Sequence, residues 1–237
     1  MGPAHYSAVM ADQRDDTTFV APLYTLTEAA RIVRVPAATL HNWARGYVFK
    51  DVDGHQRSSP ALVTTTRGGR GAVVPFVGLS EAYVLAAFRA AGVPMQRIRP
   101  ALERLEHEFG MHAALSSEQL KTDGAEVLWQ YRDRDDDGDV IDSLVVVRSG
   151  QPVFKEVVEQ FLQTITYRDG RVALIRLPQY PTPVIVDPRR NFGAPTVESR
   201  GIRVADILDR VRAGEPAGDV ADDFLLPVRD VEALAAA

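Results

Sequence analysis

The segment LYTLTEAARIVRVPAATLHNWARG, residues 23–46, limits the fold more than any other part of this chain. Thr25 and Glu28 have the spacing of a capping box, which predicts the start of a helix. Pro36 disfavours helical geometry at the residue before it, so the first helix has to stop there. A second helix follows and ends at Gly46, because glycine commonly closes helices. Two short helices joined by so small a turn predict a helix-turn-helix.

The second helix of such a motif lies in the major groove of DNA. Leu40 and Trp43 are three residues apart and predict its buried side, so the side chains between and beyond them face outwards. Asparagine can pair with adenine at two atoms and arginine with guanine at two atoms. The predicted DNA-contacting residues are Thr39, His41, Asn42 and Arg45 on the helix, and Arg34, placed for phosphate, in the turn.

A glycine-rich segment, Arg67-Gly68-Gly69-Arg70-Gly71, lies between two β-prone runs, 61–66 and 72–77. A glycine-rich tip between two strands predicts a hairpin. The hairpin would form the wing of a winged helix-turn-helix. Arg67 and Arg70 at its tip would then reach an adjacent phosphate or the minor groove.

The charge distribution favours the same interpretation. The chain carries a net charge of −5, but residues 24–104 hold 11 Lys/Arg against 5 Asp/Glu, a balance of +6, which leaves −11 for the rest. A basic block inside an acidic protein is typical of a DNA-binding domain joined to a region with another task.

The remaining pattern predicts an α+β fold, mainly α with small β elements. We expect helices at 79–91, capped by Ser80, and 95–109, then strands at 127–131 and 143–147, a helix at 154–162 and a hairpin over 164–177 that turns at Asp169-Gly170. Three prolines between 178 and 183 predict a linker. Two extended pieces and three short helices follow. The predicted domains are a disordered leader (1–22), a winged helix-turn-helix domain (23–112), a central α+β region (113–184) and a C-terminal small helical domain (185–237).

Several classes of protein are excluded or disfavoured. The chain has no cysteine, which excludes disulfides, zinc fingers and cysteine nucleophiles and fits a reducing cytoplasm. No apolar run is long enough to span a bilayer, and residues 1–18 lack the apolar core of a signal peptide, so we expect a cytoplasmic protein. No P-loop, nucleophile-elbow, dinucleotide or histidine metal motif is present. We therefore expect no enzyme activity, no metal and no cofactor.

An acidic run over residues 133–139 imitates the start of a calcium loop. The twelfth position of such a loop requires a bidentate carboxylate, but here it is Leu144. We interpret the run as the tip of a hairpin, and either weak cation binding or contact with a basic partner remains open for it.

The segments TLTEAARIVRVPAATLHNWARG and LSEAYVLAAFRAAGVPMQRIRPALERLEHEFG resemble the start of MerR-like winged helix-turn-helix regulators and the paired helices that follow their wing. The resemblance covers about residues 23–110. The long dimerisation helix with cysteines that often builds the sensor of that family is absent, so the resemblance does not imply effector sensing of that type.

The tail resembles the domain-of-unknown-function family 433. The steps that match are Asp187-Pro188, Gly193-Ala194-Pro195, Gly201-Ile202-Arg203-Val204 and Ala213-Gly214-Glu215. Members of this family often occur as antitoxins beside a PIN-like ribonuclease toxin, so the whole chain resembles a VapB-type antitoxin.

This resemblance implies a homodimer that represses its own operon by binding double-stranded promoter DNA, with an acidic remainder that neutralises the toxin in a hetero-oligomer. No toxin-binding residue is identified by it. Two alternatives stay open: a stand-alone MerR-like regulator whose C-terminal half binds a small ligand or only dimerises, and a protein-interaction module with the helix-turn-helix as scaffold.

Overall fold

The structure is a computed structural model. It describes residues 19–50, 54–66, 71–92, 95, 98–99, 102–103, 114–118, 133–134, 140–141 and 160–237. The helices are α1 (Leu26–Ile32), α2 (Ala37–Arg45), α3 (Phe76–Ala90), α4 (Val204–Arg212), α5 (Ala217–Phe224) and α6 (Val228–Ala236). The strands are β1 (Pro22–Tyr24), β2 (Tyr47–Lys50), β3 (Gln56–Ser59), β4 (Val74–Pro75), β5 (Asp133–Arg134), β6 (Val140–Ile141), β7 (Ile165–Arg168), β8 (Arg171–Arg176), β9 (Val184–Val186), β10 (Thr196–Val197) and β11 (Ile202–Arg203). This confirms the predicted α+β class.

Helix α3 is the centre of the N-terminal half. Twelve of its residues are buried, as expected for a helix that is apolar on all sides. It begins at Phe76 rather than at the predicted residue 79, and Ser80 is no cap, because it lies inside the helix and its hydroxyl donates to the Val77 carbonyl at 2.7 Å. The ring of Phe19 packs edge-on against that of Phe76, with the centroids 5.6 Å apart. Residues from Phe19 onwards therefore belong to the fold and not to the predicted leader.

The predicted hairpin of residues 61–66 and 72–77 does not form. The second run pairs instead with β1, since β4 is its antiparallel partner, and residues 61–66 are not a strand. The observed hairpin of this region is β2–β3, with Tyr47 opposite Ser59 and Lys50 opposite Gln56. The two predicted runs meet at Thr66, whose N–H donates to the Val73 carbonyl at 2.8 Å. The Val73 N–H, however, donates to the Tyr24 carbonyl at 2.9 Å, so the strand pairing of this run is made with β1.

The C-terminal half is built on a five-stranded antiparallel sheet of order β11-β10-β9-β8-β7. Its β7–β8 hairpin confirms the predicted turn, where Asp169 and Gly170 both have positive φ, 52° and 75°. The proline-rich segment 178–183 is no linker, because it joins two hydrogen-bonded strands, β8 and β9. The predicted boundary between residues 184 and 185 falls inside this sheet.

The three helices α4 to α6 close the chain. Their buried residues, listed together, are Val204, Ile207, Val220, Ala221, Val231 and Leu234. The three predicted helices of the tail and the two extended pieces before them, now β10 and β11, are confirmed. Pro216 and Pro227 stand at the N-cap positions of α5 and α6, one residue earlier than the first-turn position we expected.

Side chains tie the two halves together. The Tyr24 hydroxyl donates to the Gly193 carbonyl at 2.8 Å, and the Gln179 amide donates to the Ile32 carbonyl at 3.3 Å. The Tyr83 hydroxyl lies 2.9 Å from the Thr164 hydroxyl. One cluster of buried apolar residues runs through both halves. The two halves are therefore joined by direct hydrogen bonds and by shared apolar packing.

Several predicted features lie wholly or mostly outside the described residues. These are the glycine-arginine loop with Arg67 and Arg70, most of the predicted helix 95–109, the strands 127–131 and 143–147, most of the acidic run 133–139, and residues 154–159. Among the described residues, no helix has both the length and the apolar character to cross a membrane.

Candidate nucleic-acid interface

Helix α1 begins with the capping box predicted from the sequence. The Thr25 hydroxyl accepts the N–H of Glu28 at 3.1 Å, and the Glu28 carboxylate accepts the N–H of Thr25 at 2.8 Å. Two N–H groups that would otherwise have no partner at a helix start are thereby satisfied. The start of α1 is therefore set by hydrogen bonds between residues of its own first turn.

A tight turn then reverses the chain between α1 and α2. Arg34 adopts a left-handed conformation, with φ 56°, and the N–H of Val35 reaches back to the Ala30 carbonyl at 3.0 Å. Pro36 is the N-cap of α2, with φ −56°. The helix-turn-helix predicted from residues 23–46 is confirmed in each of its parts.

Helix α2 separates its buried and exposed sides as predicted. Leu40 and Trp43 are 0% and 3% exposed, and Ala44 is buried beside them. His41, Asn42 and Arg45 are exposed. Within the described part of the chain, their side chains make no hydrogen bond or ion pair, so their donors and acceptors point to solvent and are available to an external ligand.

Two further predicted residues border this face. Arg34 is exposed in the turn. Thr39 is half-buried, and its hydroxyl accepts a hydrogen bond from Arg89 of α3 at 3.3 Å. The structure therefore brings Arg34, Thr39 and the three outward residues of α2 together on one helix-turn-helix, whereas Arg67 and Arg70 lie outside the described residues.

The C-terminal end of α2 is held by residues 60–66, the segment that follows strand β3. The Trp43 carbonyl accepts the N–H of Leu62 at 2.7 Å and that of Val63 at 3.1 Å. Gly46 is the C-cap of α2, with φ 69°. It passes so close to the end of β3 that a Cβ atom would lie 2.5 Å from the backbone carbonyl oxygen of Ser59. Only glycine fits a left-handed site with that little space. These contacts fix the orientation of the exposed face.

A buried carboxyl group anchors the same segment to α3. Glu81 is 4% exposed, and its carboxyl accepts the N–H of Thr64 at 2.6 Å and contacts the Thr64 hydroxyl at 3.1 Å. Burial raises the pKa of Glu81 to about 7, although both contacts with Thr64 oppose the shift. Helix α2, the segment and α3 thus form one braced unit.

Sequence reasoning missed the β2–β3 hairpin, which follows α2 directly. Tyr47, Val48 and Phe49 on β2 are 41%, 58% and 44% exposed, and Lys50 is exposed at its end. Part of the signal was present, since Asp53-Gly54 is a preferred hairpin-turn pair and follows the β-prone run Tyr47–Lys50. The glycine-rich loop that begins at Arg67, fourteen residues after Asp53, has the stronger turn signal.

The described residues contain no group of three His, Cys, Asp or Glu side chains placed to hold a metal ion. The exposed side chains of the candidate interface offer hydrogen-bonding groups and cationic charge. These are the two means by which proteins contact base edges and phosphates.

Comparisons with known proteins match two separate parts of this chain to two families. Residues 22–102 match a family described as "Putative DNA-binding HTH domain". Residues 184–236 match a family described as "Protein of unknown function (DUF433)", which confirms the predicted resemblance of the tail.

The whole chain has relatives as well. It is 48% identical to the "Putative antitoxin VapB45" of Mycobacterium tuberculosis (strain ATCC 25618 / H37Rv) over 221 residues. The aligned region covers 90% of this chain and 92% of that protein. It is 26% identical over 226 residues to the "Uncharacterized protein Rv2308" of the same organism, covering 89% and 87%. The X-ray crystal structure of Rv2018 from Mycobacterium tuberculosis matches it with a TM-score of 0.72 at 46% identity, covering 91% of this chain and 98% of that one. With almost half of its residues identical along nearly the full length of both proteins, the chain belongs to the family of VapB45, as the predicted VapB-type resemblance implies.

Proposed function

We propose that this protein is an antitoxin that represses its own operon. In this proposal, it binds promoter DNA as a dimer through the helix-turn-helix and neutralises a PIN-like ribonuclease through its acidic C-terminal half. It acts by binding, in the cytoplasm, and catalyses no reaction. The observation that carries the DNA part is the exposed face of α2, where the side chains of Asn42 and Arg45 have no hydrogen-bond or ion-pair partner among the described residues.

The order of parts supports a winged, MerR-like mode of contact. In this proposal Asn42 and Arg45 pair with base edges, His41 and Thr39 lie beside them, and Arg34 contacts phosphate. The bracing of α2 matters because a reading helix has to keep its orientation in the groove to select a sequence.

Two segments are candidates for the wing in this proposal. The β2–β3 hairpin is connected directly to the reading helix and carries the exposed Lys50. The loop that contains Arg67 and Arg70 lies between Thr66 and Gly71. Because an exposed cation that contacts phosphate contributes about one unit to the salt slope, Lys50→Ala and Arg67→Ala separate the two segments.

The DNA proposal is tested by gel shift on the DNA upstream of the operon and on scrambled DNA, at several salt concentrations. Asn42→Ala and Arg45→Ala should each lose about 1–3 kcal/mol of discrimination between the two DNAs. Arg229→Ala, which removes an exposed arginine of α6, is the matched control and should bind like the wild type. If both α2 variants also bind like the wild type, the reading face is wrongly assigned.

The toxin proposal rests on charge and on the family. Outside residues 24–104 the chain carries −11, and an enzyme that cuts RNA presents a cationic surface, so the two are complementary. Co-expression with the adjacent gene should rescue growth and yield a hetero-oligomer on size exclusion. DNA binding without any nuclease partner would favour the stand-alone regulator instead.

A further inference from the structure

The C-terminal unit repeats the helix-turn-helix of the N-terminal domain at a distance of 180 residues. Arg34 and Gly214 have positive φ, 56° and 91°, and the prolines two residues later, Pro36 and Pro216, have φ −56° and −58°. The first turn is closed by a hydrogen bond from Val35 N–H to the Ala30 carbonyl at 3.0 Å.

The second turn is closed in the same way. The Glu215 N–H donates to the Arg210 carbonyl at 3.2 Å, and the Val220 N–H donates to the Pro216 carbonyl at 3.2 Å. The latter bond matches the one from Leu40 to Pro36, also 3.2 Å. Leu40 and Val220 are both 0% exposed. The turn between α4 and α5 therefore has the same backbone hydrogen bonds as the turn between α1 and α2, and α5 follows it as the reading helix follows the first turn.

The outward face of α5 is the opposite of a DNA-reading face. Counted from the turn, Asp219 and Asp222 occupy the positions of Thr39 and Asn42. Both are exposed, and neither has an ion-pair partner among the described residues. Residues 217–237 hold five Asp/Glu and one Arg. Two free carboxylates at these positions repel a phosphate backbone and attract a cationic surface.

An apolar group stands beside these carboxylates. Leu225, in the position of Arg45, is 67% exposed and has a left-handed backbone with φ 52°. Val228, three residues later, is 42% exposed. Such a conformation is unusual for a bulky residue, and Gly214 fills the corresponding place in the preceding turn. Leu225 thus carries two costs at once, backbone strain and exposed apolar surface, and residues that carry such strain cluster at functional positions.

The turn below this surface is held rigidly. The Arg210 guanidinium bonds to the Glu215 carboxylate and to Asp223 at 2.6 Å, and it also lies over the ring of Phe224, 5.2 Å from its centroid. The bond from Arg210 lowers the pKa of Glu215. The surface is accordingly preformed, which reduces the entropy that binding has to overcome.

We infer that the corner between α5 and α6 docks the cationic RNA-binding surface of the nuclease toxin, with Leu225 and Val228 as the apolar contact and Asp219 and Asp222 as the charged rim. An apolar centre inside a polar rim is the usual anatomy of a protein interface. This inference rests on the proposed function, since that function supplies the partner. It assigns protein recognition to the second helix-turn-helix and DNA recognition to the first.

The test measures the dissociation constant of the full chain for the PIN-like ribonuclease encoded beside it, purified in an inactivated form. Leu225→Asn removes the apolar side chain, and asparagine tolerates the left-handed backbone, so the variant should fold as well as the wild type. It should bind the nuclease at least tenfold more weakly and shift promoter DNA as the wild type does.

A charge variant tests the rim. Asp222→Lys should bind the nuclease several-fold more weakly, whereas Asp209→Lys, the same change on an exposed residue of α4, should stay within twofold of the wild type. If the wild type binds the nuclease and Leu225→Asn and Asp222→Lys bind it equally well, the corner is not the docking surface. If the wild type does not bind that nuclease, the toxin half of the proposed function fails, and this inference fails with it.

Discussion

Replacement of Glu81 by glutamine should change how the stability of this protein depends on pH. The native pKa of Glu81 is about 7, against an ordinary value of 4.5, so the folded protein holds this proton more tightly than the unfolded chain. The contribution of the group to stability is therefore complete below about pH 4.5 and is lost as the pH rises through 7. A shift of this size corresponds to about 3 kcal/mol.

Glutamine should keep both contacts with Thr64 without the buried charge. Its amide oxygen can accept the Thr64 N–H, and its amide nitrogen can donate to the Thr64 hydroxyl, as a protonated carboxyl does. We expect Glu81→Gln and the wild type to have similar free energies of unfolding at pH 4.5. At pH 8 the variant should be the more stable by up to about 3 kcal/mol.

The assay is urea unfolding at pH 4.5, 6, 7 and 8, followed by circular dichroism. The same substitution at Glu232, an exposed residue of α6, provides the baseline for the many other carboxylates of the chain. A variant that is less stable than the wild type at pH 8, or a difference that does not vary with pH, would refute the reasoning. It would mean that Glu81 is ionised and stabilised in the fold by groups beyond Thr64.

Three further substitutions test the scaffold of the helix-turn-helix. Thr25→Ala breaks the capping box and should cost about 1 kcal/mol of unfolding free energy, measured in urea; no loss would mean that α1 does not depend on its cap. Gly46→Ala places a methyl group against the Ser59 oxygen and should lower the melting temperature and weaken DNA binding together, because the end of α2 moves; an unchanged gel shift would contradict this. Tyr24→Phe deletes the bond to the Gly193 carbonyl and should cost about 1 kcal/mol without loss of DNA affinity; a large loss of affinity would show that the two halves are strongly coupled.

In the tail, the sequence predicts the helices correctly but not the equivalence of their turn to the turn of the N-terminal helix-turn-helix. The prolines and glycines of residues 213–227 predict three short helices, and all three are present. That the turns at Arg34 and Gly214 have the same hydrogen bonds was not visible from their residues, because Arg-Val-Pro and Gly-Glu-Pro share only the proline. The equivalence of Asn42 and Asp222 follows from coordinates alone.

The wrong strand pairing predicted for residues 61–77 has a different cause. Residues 72–77 are β-prone and do enter a strand, but β-propensity does not select a partner. The partner turned out to be β1, fifty residues earlier in the chain. The true hairpin, β2–β3, contains exposed residues on both faces, so it lacks the alternation of apolar and polar residues that marks most strands.

By itself the sequence determined those features whose cause lies within about five residues: the capping box at Thr25, the break before Pro36, the turn at Asp169-Gly170, and the inward and outward sides of α2. Caps and tight turns are closed by hydrogen bonds between near neighbours, so their residues are sufficient to predict them. Only the tertiary structure decided which strands pair, that 178–183 joins one sheet instead of separating two domains, and that Glu81 is buried beside Thr64. Those outcomes depend on groups brought together from distant parts of the chain. For each strand edge or buried group, many other groups of the chain could be the partner, and the local sequence does not select among them.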